Sequence, residues 1–312
     1  ISQYFWPEKF HINDVSTELQ KLGHQVQVLT GQPNYPKGKL FGKYKKNKTL
    51  IENFNNITIY RVPIIPRKNS TTLDLIKNYI SFIYYGIFVG LKFNLKKFDK
   101  IFFYGTSPIT SVIPAIILKL FYKKKLVVWV QDLWPQSLTA TGYIYNKFIL
   151  KLVNLLVIII YFYCDKILIQ SKNFKKYILT QTSKKKIIYH PNSFKKPKKR
   201  IKLKTQHLKL LKKNFCITFA GNIGKAQNLE NLLLAAKNLS KYQKLKIIII
   251  GEGSDKKRLV SILRKKKIQN VHFLGSLNQD YVFEIYKHSK ALYVSLKNNE
   301  VLNLTIPYKI QS

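Results

Sequence analysis

The sequence has no methionine, two cysteines and five arginines among its 312 residues, and its 55 basic residues face only 14 acidic ones. Each shortage excludes something. Cys164 and Cys216, both in apolar surroundings, are too few for a disulfide framework, so a reducing cytoplasm is the expected compartment. The scarcity of arginine argues against base readout and bidentate phosphate clamps, which favour the guanidinium fork. The formal charge of +41 is therefore a lysine charge, spread along both halves of the chain. Together with abundant Ile, Asn, Tyr and Phe it reflects AT-rich codons more than a nucleic-acid groove, yet it still draws the chain toward an anionic membrane surface. Also lacking is the run of ~20 apolar residues that a spanning helix needs. The most apolar stretch, 148–163, is interrupted by Lys151 and Asn154; a core helix and a membrane-surface helix fit it equally. His11, His24 and His190 have no metal-ligand spacing, and no metal is expected. With no initiator Met, an opening on what reads as a strand end and a stop directly after TIPYKIQS, the chain is expected to be a piece of a longer protein, short at both ends.

What is present is enough for two cores: 46% of residues are hydrophobic and 13% aromatic. Residues 1–7 read as a strand end and loop, Glu8 to Leu22 as a helix stopped by Gly23, and His24 to Thr30 as an alternating strand, which makes a β-α-β unit. Further strands are expected at 57–62, 100–104, 125–130, 166–170 and 186–189, with helices at 73–89 and 109–121. A second series begins at Phe215, with strands at 216–220, 245–250, 271–274 and 291–294. Between them, 195–213 is Lys-rich with no sustained apolar face. The expected architecture is α/β: a Rossmann-like domain over 1–194, a linker over 195–213 and a second Rossmann-like domain over 214–312.

In doubly wound sheets ligands bind at the carboxyl ends of the strands, and two such places carry chemistry. Cys216 to Ala220 ends in Gly221-Asn222-Ile223-Gly224-Lys225 and feeds a helix bearing Leu229, Leu232, Leu233 and Ala236. Such a turn offers backbone N–H groups and a favourable dipole to an anion, and Lys225 adds a charge; an ordinary βα turn is the plainer reading of a G-x-x-G by itself. The strand at 125–130 delivers Asp132 at its carboxyl end, where it could face a ligand or cap the turn before Trp134-Pro135. Glu8, ahead of the first helix, could face the same site or serve helix-start electrostatics.

Taken in order, SQYFWPEKFHINDVSTELQKLGHQVQVLTGQPNYPKG, YGTSP, WVQDLWPQSLTATG, FAGNIGKAQNLENLL, IIIGEGSDKKRL, VHFLGS and SLKNNEVLNLTIPYKIQS resemble the GT4 family of GT-B glycosyltransferases. The likeness is strongest to the WbuB-like L-fucosamine (FucNAc) transferases of bacterial surface-polysaccharide synthesis. It covers nearly the whole chain and implies a GT-B fold, two Rossmann-like doubly wound domains facing a cleft, the C-terminal one incomplete. By the resemblance, Gly221, Asn222, Gly224 and Lys225 hold a UDP-sugar diphosphate without a metal. Gln227 stands where many relatives have a second Lys. Gly251 and Gly253 border the nucleotide, and Leu274 and Gly275 meet the base. Glu300, Thr305 and Lys309 fall in the region of the family's E-x7-E motif, with Tyr308 where the second Glu would stand; a solvated helix-start lysine is the other reading of Lys309. Asp132 and Glu8 are the catalytic candidates, with Pro7, Asn34, Thr106, Ser107 and Trp134 on the acceptor side.

The activity implied is retaining transfer of a sugar, an N-acetylated amino sugar such as FucNAc, from a UDP-sugar to a lipid-linked saccharide in O-antigen, capsule or lipopolysaccharide synthesis. The expected setting is the inner face of the bacterial plasma membrane, with no cofactor and no nucleic acid. Two alternatives remain open: a UDP-sugar epimerase of GT-B architecture, and a lysine-driven nucleic-acid-binding protein.

Overall fold

The computed structural model describes residues 1–36, 38–44, 48–68, 71–92, 98–140, 144–193 and 201–311, without the side chains of Ala140, Tyr308 and Gln311. The chain divides into two compact units, Ile1–Asn192 and Ser193–Ser312.

In chain order the first unit comprises α1 (His11–Lys21), β1 (Gln27–Gly31), β2 (Leu50–Phe54), β3 (Ile57–Val62), α2 (Thr72–Leu91), β4 (Lys100–Gly105), α3 (Ile113–Tyr122) and β5 (Lys125–Val130). It continues through α4 (Gln136–Ala140), α5 (Lys147–Tyr163), β6 (Lys166–Ile169), α6 (Phe174–Ile178) and β7 (Ile187–Tyr189). One sheet has the order β1-β3-β2, the other β4-β5-β6-β7. Residues 1–3 run between them. Tyr104 N–H donates to Ile1 O (3.0 Å), Ser2 N–H to Leu29 O (3.1 Å) and Gly31 N–H to Gln3 O (3.2 Å), which ties β1 to β4 through the opening residues. All pairings are parallel except β2 with β3. Parallel strands buried on both faces carry near-continuous apolar runs, as KLVVWV of β5 does: Leu126, Val128, Trp129 and Val130 are fully buried.

The second unit comprises α7 (Thr205–Lys213), β8 (Phe215–Ala220), α8 (Leu229–Asn238), β9 (Leu245–Ile250), α9 (Lys256–Lys265), β10 (Val271–Gly275), α10 (Gln279–His288), β11 (Ala291–Leu292) and α11 (Tyr308–Gln311). Its sheet is wholly parallel, in the order β10-β9-β8-β11. Alternate residues of β9 serve two cores: Ile247 and Ile249 pack with Phe219, Leu229 and Leu233, while Ile248 and Ile250 pack with Cys216, Leu211 and Ile285.

Four expectations need correction. The first helix starts at His11 rather than Glu8, because Phe10 is extended (φ −122°). β2 was not expected: its Glu52 is drawn inward by Arg61 and breaks the alternation that marks a strand. The segment taken as linker ends sooner, since 205–213 is α7, whose Leu211 joins the second core; residues 195–200 lie outside the described residues. Finally, the 148–163 stretch is not a wholly buried core helix. α5 buries Val157, Ile160 and Tyr161 and exposes its opposite side.

Candidate active site

The second unit builds its carboxyl edge from backbone. Gly221 leaves β8 at φ +143°, and its N–H is held by Ile250 O (2.9 Å). The loop after β9 approaches so closely that a Cβ on Gly251 (φ +136°) would lie 1.9 Å from Gly221 O, and one on Gly253 2.2 Å from Ile223 O. Ile223 N–H donates to Glu252 O (2.9 Å) and Asp255 N–H to Ile223 O (3.0 Å), which laces the two loops together. The segment after β11 braces the first loop from beyond: Ser295 Oγ–H donates to Gln227 O (2.5 Å) and Lys297 N–H to Ala226 O (2.7 Å).

Within this frame the expected residues fall into place unequally. Asn222 and Lys225 are exposed at the mouth of the loop, while Gly224 is buried. Gly224 N–H, expected to face an anion, donates to Gln227 Oε1 (3.2 Å), so Gln227 caps the turn with its own side chain. Lys309 is drawn in. Its Nζ sits 3.7 Å from the centre of the Phe219 ring, and its Cε and Nζ lie 2.4 and 2.7 Å from where a Cβ of Gly221 would be. Burial lowers its pKa to about 8. It is thus no solvated lysine: only a glycine at 221 leaves it room. Leu274 is the bulged residue between Phe273 and Gly275 in the β10 ladder, and its side chain packs into the core. Gly275 (φ +71°) accepts at its carbonyl from Gly251 N–H (2.8 Å). Thr305 closes the turn before α11 through its N–H on Leu302 O (3.1 Å), and Glu300 is exposed.

The first unit builds its carboxyl edge from side chains. Asp132, half-buried after β5, accepts at Oδ2 from Ser107 N–H (3.0 Å) and Ser107 Oγ–H (2.8 Å), which binds the loop after β4 to its own. This corrects the capping alternative, which placed the bond in the turn before Trp134. Burial raises the Asp132 pKa, and the two Ser107 bonds oppose the rise. Glu8 is 3% exposed. Its Oε1 accepts from Asn34 N–H (2.8 Å) and Tyr35 N–H (2.6 Å). Burial raises its pKa to about 7 against those bonds and the Arg61 charge.

The acceptor-side residues divide likewise. Asn34 is buried and its side chain serves its own loop, donating to Gln32 O (3.2 Å) and accepting from Arg67 N–H (3.4 Å). Ser107 is committed to Asp132, and Thr106 N–H donates to Tyr104 O (3.1 Å). Pro7 and Trp134 are half-buried.

Sequence reasoning missed two features here. Arg61, fully buried, donates to Glu52, to Trp6 O and to Gly31 O, and so fixes the turn that carries Pro7 and Glu8. A pair nine residues apart across a hairpin leaves no local signature. The second is a concentration of unsatisfied polar atoms. Among the described residues, Glu8 Oε2, Gln32 Oε1, Gln131 Nε2, Trp134 Nε1, Gln136 Oε1, Gln170 Oε1 and Asn192 Oδ1 are buried without a hydrogen bond. Each follows the carboxyl end of residues 1–3, β1, β5, β6 or β7. Buried polar atoms in folded proteins are paired in roughly 90% of cases or more, so a polar group entering this edge would find partners there.

Residues 180–306 match the family described as Glycosyl transferases group 1. That stretch, about two fifths of the chain, is similar to a group 1 glycosyl transferase domain. The domain holds the glycine-lined loops described above. An uncharacterised glycosyltransferase of Methanocaldococcus jannaschii is 28% identical over 216 residues, 63% of this chain and 51% of the relative. A second from the same organism is 26% identical over 298 residues, 89% of this chain and 68% of the relative. The chain therefore spans about half the length of the first relative and about two thirds of the second. Among solved structures, a trehalose-6-phosphate protein from E. coli bound with UDP-2-fluoro glucose superposes with a TM-score of 0.64 at 11% identity, covering 94% of this chain and 77% of that one. That likeness shows the fold, which is GT-B with parallel sheets and alternating helices. The domain and the relatives alike are those of glycosyltransferases.

Proposed function

We propose that the chain transfers a glycosyl group from a UDP-sugar to a hydroxyl of a lipid-linked saccharide, with retention at the anomeric carbon. The observation that carries the reading is Lys309 folded over Gly221 at the end of β8, a half-buried cation beside a glycine turn. A diphosphate seated there meets a lysine whose charge burial has left short of solvent, which strengthens the attraction. The bond from the anomeric carbon to the diphosphate oxygen breaks, UDP leaves with the negative charge, and the acceptor oxygen bonds to the same carbon. Its proton passes to the departing phosphate. Asp132 and Glu8 orient hydroxyl groups rather than bond to the sugar. The relative that carries UDP-2-fluoro glucose supports a UDP-sugar donor. The resemblance to FucNAc transferases supports an N-acetylated amino sugar, as part of surface-polysaccharide synthesis at the inner membrane face, with no metal required.

The test is an incubation of the chain with UDP-FucNAc and other UDP-sugars, with and without a lipid-linked saccharide, read by release of UDP and mass of the lipid product. Sugar on the lipid only when both substrates are present supports transfer. Sugar conversion without acceptor would make it an epimerase instead.

A further inference from the structure

Helix α2 packs on α3, and α3 on α5. Gly86 and Gly90 of α2 let α3 come close: a Cβ on Gly90 would be 2.6 Å from Leu118 Cδ1. The outward sides of these helices are apolar where a solvent face is ordinarily polar. On α2 the exposed residues include Ile76, Ile80, Tyr84 and Phe88, at a spacing of four residues. On α5 they are Phe148, Leu152, Leu155, Ile159 and Phe162, alternating steps of four and three that keep them on one side. Phe148 and Phe162 are 68% and 72% exposed, and Leu120 and Phe121 at the end of α3 add to the surface. A monomer rarely leaves so much contiguous apolar surface in water.

The charges around it are mainly positive. Lys77, Lys92, Lys123, Lys147 and Lys151 are exposed on or beside these helices, α3 and α5 contain no acidic residue, and α2 has Asp74 alone. Among the described residues no helix is long and apolar enough to cross a membrane. An apolar face rimmed by lysines and too short to span is the pattern of an element lying in a bilayer interface, with aromatic and aliphatic groups at the headgroup–acyl boundary and ammonium groups at lipid phosphates.

We propose that the α2–α3–α5 face docks the first unit on an anionic lipid bilayer. The inference rests on these helices and stands whether or not the transferase reading does.

The test is flotation of the whole chain with vesicles of phosphatidylcholine alone and of phosphatidylcholine mixed with phosphatidylglycerol. The chain should float with the anionic vesicles and be released progressively by salt. The combined variant Phe148→Ser, Leu152→Ser and Phe162→Ser should lose affinity by about tenfold or more at unchanged melting temperature. Lys147→Glu with Lys151→Glu should weaken binding at low salt. Tyr242→Ser in the second unit, also exposed, should change nothing. Failure of the wild-type chain to float, or flotation of the serine variant as well as wild type, overturns the proposal. So does gel filtration in which wild type is a dimer that the serine variant breaks while vesicle binding persists, since the face would then be covered by a second copy.

Discussion

The two carboxyl edges of the chain solve opposite problems. In the second unit the loops are laced by backbone hydrogen bonds and glycines, and the charge drawn in beside Gly221 is a cation, Lys309. In the first unit the loops are held by side chains, the two candidate titratable groups, Asp132 and Glu8, are carboxylates, and buried polar atoms are left over. Backbone amides and a lysine suit a diphosphate, which is the same in every UDP-sugar. Side-chain amides, carboxylates and an indole suit hydroxyl groups, whose number and position vary. Under the proposed function, the contrast is one between a fixed recognition and a variable one.

The largest break in this contrast should come from glycine. Gly251→Ala or Gly253→Ala drives a Cβ into the carbonyl of Gly221 or Ile223, and should cost roughly 3 kcal/mol or more of stability, because backbone cannot move aside as a side chain can. Thermal unfolding measures it.

Glu8 gives a comparable effect that depends on pH. Its folded pKa, about 7, lies above the 4.5 of a free glutamate, so the unfolded chain gives up its proton first and stability falls as pH rises from 4.5 to 7. Glu8→Gln keeps an acceptor for Asn34 and Tyr35 and removes the titration. The variant should show a flatter stability profile across that window, by about 3 kcal/mol at its upper end. Denaturant midpoints at pH 4.5 and 7.5 check this.

Lys309→Ala should weaken UDP binding by about 2 kcal/mol, whereas Lys225→Ala, at an exposed site, should cost about 0.5 kcal/mol. Because the Lys309 pKa is near 8 in the free protein, UDP binding should also weaken as pH rises above 8, and the alanine variant should lose that slope. Titrations at pH 7 and 9 decide it. A modest effect, on stability, is expected at Ser107→Ala, which leaves the backbone N–H bond to Asp132 in place and should cost about 1 kcal/mol.

Much of the fold was legible because parallel strands announce themselves as short apolar runs ending in glycine or polar loops; β5 and β9 have the bounds their sequences imply. β2 escaped because Glu52 looks inward for a partner in the adjacent strand, and α7 because its three leucines are matched by three lysines within a Lys-rich stretch. The site was legible where its logic is local, as in the Gly221 turn and the carboxylates at strand ends. It was illegible where a side chain returns from afar. Nothing in TIPYKIQS places Lys309 over Phe219, and nothing in GKAQ shows Gln227 turning back to take the Gly224 amide. The first is a tertiary fact; the second is a local cap within one turn.

The central claim is that the second unit alone grips the nucleotide diphosphate. Calorimetric titration of UDP into wild type, Lys309→Ala, Asp132→Asn and Glu8→Gln tests it most directly. The account predicts that only the lysine variant loses affinity, by about thirtyfold, as charge-assisted bonds of this kind warrant. Unchanged affinity in the lysine variant, or an equal loss in the carboxylate variants, would contradict it.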